Sequence, residues 1–139
     1  MEKSLVLIKP DAMQRGLAGT IISRIEKQGL KSVALKMLHM DEALARRHYA
    51  IHAGKPFFED LIEFITSTPI VAIVFQGKDA VEVIRKTMGG TDPAKAEPGT
   101  IRAEFGTDIQ QNVVHGSDSV ETAGTEIKLF FADDEIYDY

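Results

Sequence analysis

Two uninterrupted apolar runs, Leu5-Val6-Leu7-Ile8 and Ile70-Val71-Ala72-Ile73-Val74-Phe75, set the tightest limits on the fold. Short runs with no polar alternation read as strands buried on both faces. The first run ends at Lys9-Pro10-Asp11. Proline removes a backbone donor there and stops the ladder, so Lys9 is expected at the tip of a central strand. Residues 31–40 alternate instead, with Val33, Leu35 and Met37 on one side, as a half-buried edge strand does. A last β-branched run, Val113-Val114, leads into His115.

Helical spacing fills the intervals. Residues 18–28 put Ile21, Ile22 and Ile25 on one face, closed by Gly29. Asp41 caps a helix carrying Leu44, His48 and Ile51 on one face. Lys55-Pro56-Phe57-Phe58 opens another, with Phe58, Leu61, Ile62 and Ile65 inward and Phe57 off the stripe. Asp79 and Glu82 resemble a capping box ahead of Val81, Ile84 and Met88, with Arg85 on the other side. One helical turn is expected at residues 100–105, inside an irregular stretch over residues 88–111. Val120, Ala123, Ile127, Phe130 and Phe131 define a final helix, and residues 132–139 form an acidic surface tail. The order is βαββαβ with additional helices. It predicts an α+β, ferredoxin-like sandwich on a four-stranded antiparallel sheet, with the two apolar strands central.

A length of 139 residues suits one domain, 1–139, with its own core. The net charge of −5 argues against a broad basic surface for nucleic acid. A few cations focused in a cleft would still hold a small anion. With no cysteine, disulfides and thiolate metal sites are ruled out, and a reducing compartment fits. No run approaches the roughly 20 apolar residues of a membrane span, and the opening run is too short for a signal peptide. A cytoplasmic protein without membrane attachment is the expectation.

The chemistry is concentrated in Asn112-Val113-Val114-His115-Gly116-Ser117-Asp118-Ser119. A β-branched run ending this way holds an imidazole firmly and leaves it open to a ligand. The glycine lets the backbone turn or approach a partner closely. Neutral imidazole is a good nucleophile near pH 7, since its ordinary pKa is about 6.5. Attack on phosphorus would give a phosphohistidine and divide one transfer into two easier steps. The phosphoryl oxygens then need cations, for which Lys9, Arg85 and Arg102 are candidates. Taken singly, each is a solvated charge, and spacing alone does not bring them together.

Rival schemes lack their residues. Gly89-Gly90-Thr91 has no following lysine, so it is not a P-loop, and no dinucleotide fingerprint or protein-kinase loop is present. The serines beside His115 do not form a nucleophile elbow. An RNA-recognition module shares the βαββαβ order, but its aromatic signature is missing from both central strands. His48 and His52 stand four apart like a metal pair. Tyr49 occupies the place of the glutamate a zinc protease would need, so no metal site is assigned there.

From residue 9 to residue 126 the chain resembles the nucleoside diphosphate kinases. The landmarks are Ile8-Lys9-Pro10-Asp11, His48-Tyr49, Lys55-Pro56-Phe57-Phe58, Gly90-Thr91-Asp92-Pro93, Pro98-Gly99-Thr100-Ile101-Arg102 and the His115 stretch. The resemblance implies that His115 takes the γ-phosphate of a nucleoside triphosphate, mainly ATP, and passes it to a nucleoside or deoxynucleoside diphosphate. It implies that Lys9 and Asn112 hold the ribose hydroxyls, with Lys9 also reaching the transferring phosphate. Tyr49, Arg85, Thr91 and Arg102 would contact phosphates, and His52 would lie near the α-phosphate. Phe57 and Ile109 would sandwich the base, and Glu126 with Ser117 would orient His115.

A base held by stacking is not discriminated, so broad nucleotide specificity is expected. Mg2+ would be held by the substrate phosphates, with no protein ligands of its own. The resemblance also implies a homo-oligomer, a hexamer favoured over a tetramer, with a dimer through the edge strand at residues 31–40. Two departures are visible. Asp92 stands where asparagine is common in the family, and the chain stops soon after its last helix. A non-catalytic nucleotide-binding regulator on the same fold is the alternative. His115 with Glu126 and Ser117 favours the enzyme, because binding alone needs no oriented nucleophile.

Overall fold

The two apolar runs lie side by side in the middle of one sheet. The computed structural model describes residues 1–139. Its strands are β1 (Glu2–Ile8), β2 (Lys31–Leu38), β3 (Ile70–Gly77) and β4 (Val114–Gly116), in the order β2-β3-β1-β4 with every pair antiparallel. The helices are α1 (Pro10–Gln14), α2 (Ala18–Glu26), α3 (Glu42–His48), α4 (Phe58–Ile65), α5 (Ala80–Met88), α6 (Ile101–Phe105) and α7 (Val120–Phe130). Short 3-10 turns cover Ala50–His52, Pro93–Lys95 and Asp133–Glu135. This is the α+β, ferredoxin-like arrangement that the element order predicts.

The absence of polar alternation in the central strands has a direct cause. Leu5, Leu7, Ala72 and Val74 face one core, shared with Ile62 and Ile65 of α4 and Ile127 and Phe130 of α7. Val6, Ile8, Val71, Ile73 and Phe75 face a second, shared with Ile21 and Ile25 of α2 and Ile84 and Met88 of α5. A sheet covered on both sides needs apolar residues at every position of its inner strands.

Four local expectations need correction. A bulge between Ser32 and Ala34 shifts the register of β2, so both Val33 and Ala34 are buried. The alternation then inverts, and Leu35 and Met37 emerge 54% and 64% exposed. Asp79 does not cap α5: it sits at φ 53° and makes no capping bond. The Glu2 carboxylate instead accepts from the Val81 N–H at 2.8 Å. Ile51 leaves the core because α3 ends at His48, and Val120 is exposed at the first position of α7. The acidic tail lies on the surface as expected, but it is tied along β2. The Tyr137 N–H donates to the Val33 carbonyl at 2.8 Å, and Lys36 pairs with Glu135. No helix is long and apolar enough to cross a membrane.

Candidate active site

The end of β1 and the approach to β4 are laced together. Lys9 is the N-cap residue of α1, and its N–H donates to the Val113 carbonyl at 2.9 Å. Its ammonium donates to Asn112 Oδ1 at 2.8 Å and to the Gln110 carbonyl at 2.7 Å. Asn112 in turn donates to the carbonyls of Thr91 and Ile109 at 3.0 and 2.9 Å. Burial pushes the Lys9 pKa down to about 8, with the Arg102 charge adding to it and Asp11 opposing. Lys9 is therefore an ammonium below about pH 8 and an amine above. A bound phosphate favours the ammonium and raises that value. Nucleotide affinity should fall as pH rises through 8, and binding between pH 8 and 9 should take up a proton. Titration calorimetry in buffers of different ionisation enthalpy measures the uptake, and Lys9→Met should abolish it.

Val113 adopts φ 66°, which a β-branched residue rarely does, at a cost of about 1–3 kcal/mol. Across it the Val114 N–H donates to the Asn112 carbonyl at 2.8 Å, and two further bonds hold Val113 itself. Its N–H donates to Asp11 Oδ2 at 3.1 Å, and its carbonyl accepts from Lys9 as above. The chain then enters β4, where His115 lies opposite Leu7. Gly116 is part of the strand and not a turn: a Cβ there would come within 2.8 Å of Met88 Sδ and Cε. Its small size lets β4 pack closely on α5.

His115 Nε2 is 3.1 and 3.2 Å from the two oxygens of Glu126, which projects from α7. The Ser117 hydroxyl donates to Glu126 Oε1 at 2.6 Å. Ser117 is itself locked to β1, its N–H donating to the Leu5 carbonyl at 3.1 Å. Burial opposes ionisation of Glu126, but the hydrogen bonds from His115 and Ser117 and the attraction of His115 outweigh it and hold the carboxyl below its usual range. An ionised carboxylate only accepts. His115 therefore carries its hydrogen on Nε2 and keeps the Nδ1 lone pair free. His48 packs edge-on against this ring, with centroids 4.9 Å apart, and Phe130 packs on His48 at 5.5 Å. Burial first, and then the charge of His115, push the His48 pKa down to about 3, so His48 is neutral.

Arg102 on α6 is buried and spans the gap to β4, donating to the carbonyls of Gly89 at 3.1 Å and Val114 at 2.7 Å. Burial and the charge of Arg85 lower its pKa to about 10, which leaves it a cation at neutral pH. Arg85 on α5 donates to the Asp118 carbonyl at 2.8 Å. Burial raises the Tyr49 hydroxyl to about 12, so it stays protonated as a donor. Phe57 and Ile109 stand 45% and 61% exposed. One cleft of about 1860 Å³ borders Lys9, Tyr49, Phe57, Arg85, Thr91, Arg102, Ile109, Asn112, His115 and Glu126. Ser117 lies behind it, fully buried. The structure thus brings all of the residues named from the sequence to one place. His52 also borders the cleft, but its Nδ1 lies 3.2 Å from Lys55 Nζ, and it does not form a pair with His48.

A family model described as nucleoside diphosphate kinase matches residues 2–136. The chain belongs to the nucleoside diphosphate kinase family. A nucleoside diphosphate kinase of Dehalococcoides mccartyi is 57% identical over 139 residues, covering 100% of this chain and 98% of that relative. One from Pyrococcus abyssi is 57% identical over 99% of this chain and 89% of its own length. Among solved structures, the Halobacterium salinarum nucleoside diphosphate kinase in complex with CDP superposes with a TM-score of 0.97 at 48% identity, covering 99% of this chain and 92% of that one. The Aquifex aeolicus nucleoside diphosphate kinase superposes at 0.94 and 42% identity, over 98% of this chain and 99% of that one. As a nucleoside diphosphate kinase, the chain is an enzyme of the phosphotransferase class.

Sequence reasoning missed three residues of the site. Asp11 supports the strained Val113, Asp118 pairs with Arg85, and His48 packs on the nucleophile candidate. All three stand inside the landmarks quoted above, but neither spacing nor residue type gives them a role at the site.

Proposed function

We propose that this chain, acting as one domain over residues 1–139, transfers the γ-phosphate of a nucleoside triphosphate, mainly ATP, to nucleoside and deoxynucleoside diphosphates by a ping-pong route through His115. The observation that carries the reading is the chain of contacts from Ser117 through Glu126 to His115 Nε2, which leaves Nδ1 as the free lone pair. In the first half-reaction Nδ1 attacks the γ-phosphorus, an N–P bond forms, and the bond to the β-phosphate bridging oxygen breaks. The diphosphate leaves with that electron pair. In the second, a terminal oxygen of the acceptor diphosphate attacks the same phosphorus and the N–P bond breaks. The hydrogen stays on Nε2 throughout, donated to Glu126, and the attraction of that carboxylate stabilises the positive charge the ring acquires on attack.

Arg102, Arg85, Thr91, Tyr49 and Lys9 border the same cleft as His115 and would contact the phosphates, and Lys9 with Asn112 would take the ribose hydroxyls. Mg2+ fits as an ion carried on the substrate phosphates. The cleft offers them cations, and its deep carboxylate, Glu126, is already engaged by His115 and Ser117. When bound, the ion would neutralise charge on the phosphate oxygens. Phe57 and Ile109, exposed at the mouth, would hold the base by its faces. Phe57→Ala should therefore weaken binding of adenine, guanine, cytosine and uracil nucleotides to a similar degree, by about 1–3 kcal/mol each. Equilibrium binding of the four diphosphates checks it, and a loss confined to one base would contradict stacking.

The reading extends to a cytoplasmic homo-oligomer, a hexamer favoured over a tetramer, with no nucleic-acid or membrane partner. Leu35 and Met37, exposed on an edge strand, support self-association. The deciding experiment uses γ-labelled ATP with Mg2+. The chain should acquire acid-labile, alkali-stable label, and several different diphosphates should discharge it. A chain that turns over nucleotides without acquiring such label would overturn the ping-pong route.

A further inference from the structure

His48, His115 and Glu126 come from α3, β4 and α7, and their ligand atoms all lie within 4.8 Å of one another. Both imidazoles address a single oxygen. His115 Nε2 is 3.1 Å and His48 Nδ1 3.8 Å from Glu126 Oε2. Donors held at about 2.0–2.1 Å by a tetrahedral ion lie roughly 3.3–3.4 Å apart, so each pair is already within about 1.5 Å of a ligating separation. An independent observation concerns His48 alone. Its side chain is 1% exposed, and neither ring nitrogen has a hydrogen-bond partner. At 3.8 Å from Glu126 its Nδ1 is beyond hydrogen-bond distance. Buried polar groups are ordinarily satisfied, and an unpartnered imidazole aimed at a carboxylate is incomplete without a further ligand.

We propose that His48 Nδ1, His115 Nε2 and Glu126 Oε2 form an inhibitory site for a borderline-soft divalent cation of the Zn2+ class. Two imidazoles and one carboxylate suit Zn2+, Cu2+ or Co2+, whereas Mg2+ prefers oxygen donors alone. Glu126 Oε1 keeps the Ser117 hydrogen bond at 2.6 Å, which steadies the carboxylate as an outer-shell partner. All three ligands border the cleft, which gives the ion its entry and a water for the fourth position.

Inhibition follows from the tautomer and rests on the proposed role of His115. An ion on Nε2 takes the place of the hydrogen there. A neutral ring must then carry its hydrogen on Nδ1, where it blocks the lone pair that attacks phosphorus. No net proton is gained or lost. Glu126 changes from accepting a hydrogen bond to ligating the ion.

Zn2+ titrated into the metal-free chain against a chromophoric chelator should bind at one ion per chain. Mg2+ in large excess should not displace it. His48→Asn and Glu126→Gln should each weaken binding by about 100-fold or more. So that the test does not depend on the folding of either variant, Cu2+ is also added to the wild-type chain and the imidazole resonances are followed by NMR. Of the four histidines, His48 and His115 should broaden, and His39 and His52 should not. Failure to bind Zn2+, or broadening at His39 or His52 alone, would overturn the site.

Zn2+ should also block labelling by γ-labelled ATP in the presence of Mg2+, and a chelator should restore it. Bound Zn2+ with an unchanged labelling rate would overturn the inhibition. A metal-free chain that takes no label would refute the role of His115 and the inhibition with it, while the binding and NMR results still decide the site.

Discussion

A chain with asparagine at position 115 takes no label from γ-labelled triphosphate, and its turnover falls by at least about 10⁴-fold, the scale on which removal of a covalent nucleophile acts. The substitution His115→Asn is a fair test because the backbone at this position is held independently of the imidazole, and an asparagine amide keeps a donor for Glu126. The backbone of β4 is held by pairing with β1 and by Ser117, and the His115 ring remains partly open to the cleft. Unfolding in denaturant should accordingly change little, while nucleotide binding survives through the groups that line the cleft. Residual transfer would have to proceed by direct attack of one nucleotide on another. That route gives sequential kinetics, and parallel-line double-reciprocal plots would disappear. A variant retaining parallel lines would place the nucleophile elsewhere.

The second large effect is at Arg102. Arg102→Met keeps much of the volume but removes the cation and both donors that tie α6 to Gly89 and Val114. Loss of a preorganised donor to a transferring phosphoryl group costs about 10³-fold in kcat. The same change leaves two carbonyls deep in the site without their partner, at about 1–3 kcal/mol each when water does not replace it. Both kcat/KM and the midpoint of urea unfolding should therefore fall, in contrast to His115→Asn. Arg102→Lys should recover part of the charge effect and little of the tethering, since an ammonium cannot reach both carbonyls in the planar fork geometry. Steady-state kinetics beside equilibrium unfolding separates the two contributions.

The central strands were legible because burial on both sides leaves no room for polar alternation, and the runs from Leu5 and from Ile70 show none. Edge positions were harder. The alternation in β2 is real, but a single extra residue at Ser32/Ala34 reverses which side is buried, and no residue type announces a bulge. Asp79 carried the chemistry of a cap without the geometry, since its backbone is left-handed where a capping residue is extended, and it makes no capping bond. At the site, His115 and its neighbours were readable from local sequence. The meeting of Lys9, Arg85 and Arg102 was not, because it depends on contacts between elements many tens of residues apart. The family resemblance supplied that convergence, and the cleft that all three border agrees with it.

The left-handed valine at 113 has a consequence for anyone engineering this protein. Exchange of a residue held at positive φ for glycine removes its backbone strain, which makes such a position a natural target when greater heat resistance is wanted. Here the exchange has two sides of similar size. Glycine would relax about 1–3 kcal/mol of backbone strain. It would also remove a fully buried side chain, at about 1.5–3 kcal/mol. Asparagine tolerates the conformation but would bring a polar amide to a fully buried position in place of an apolar side chain. Position 113 thus offers no simple stabilising exchange. Hardening of the chain would have to come from its periphery, at exposed positions such as Val120.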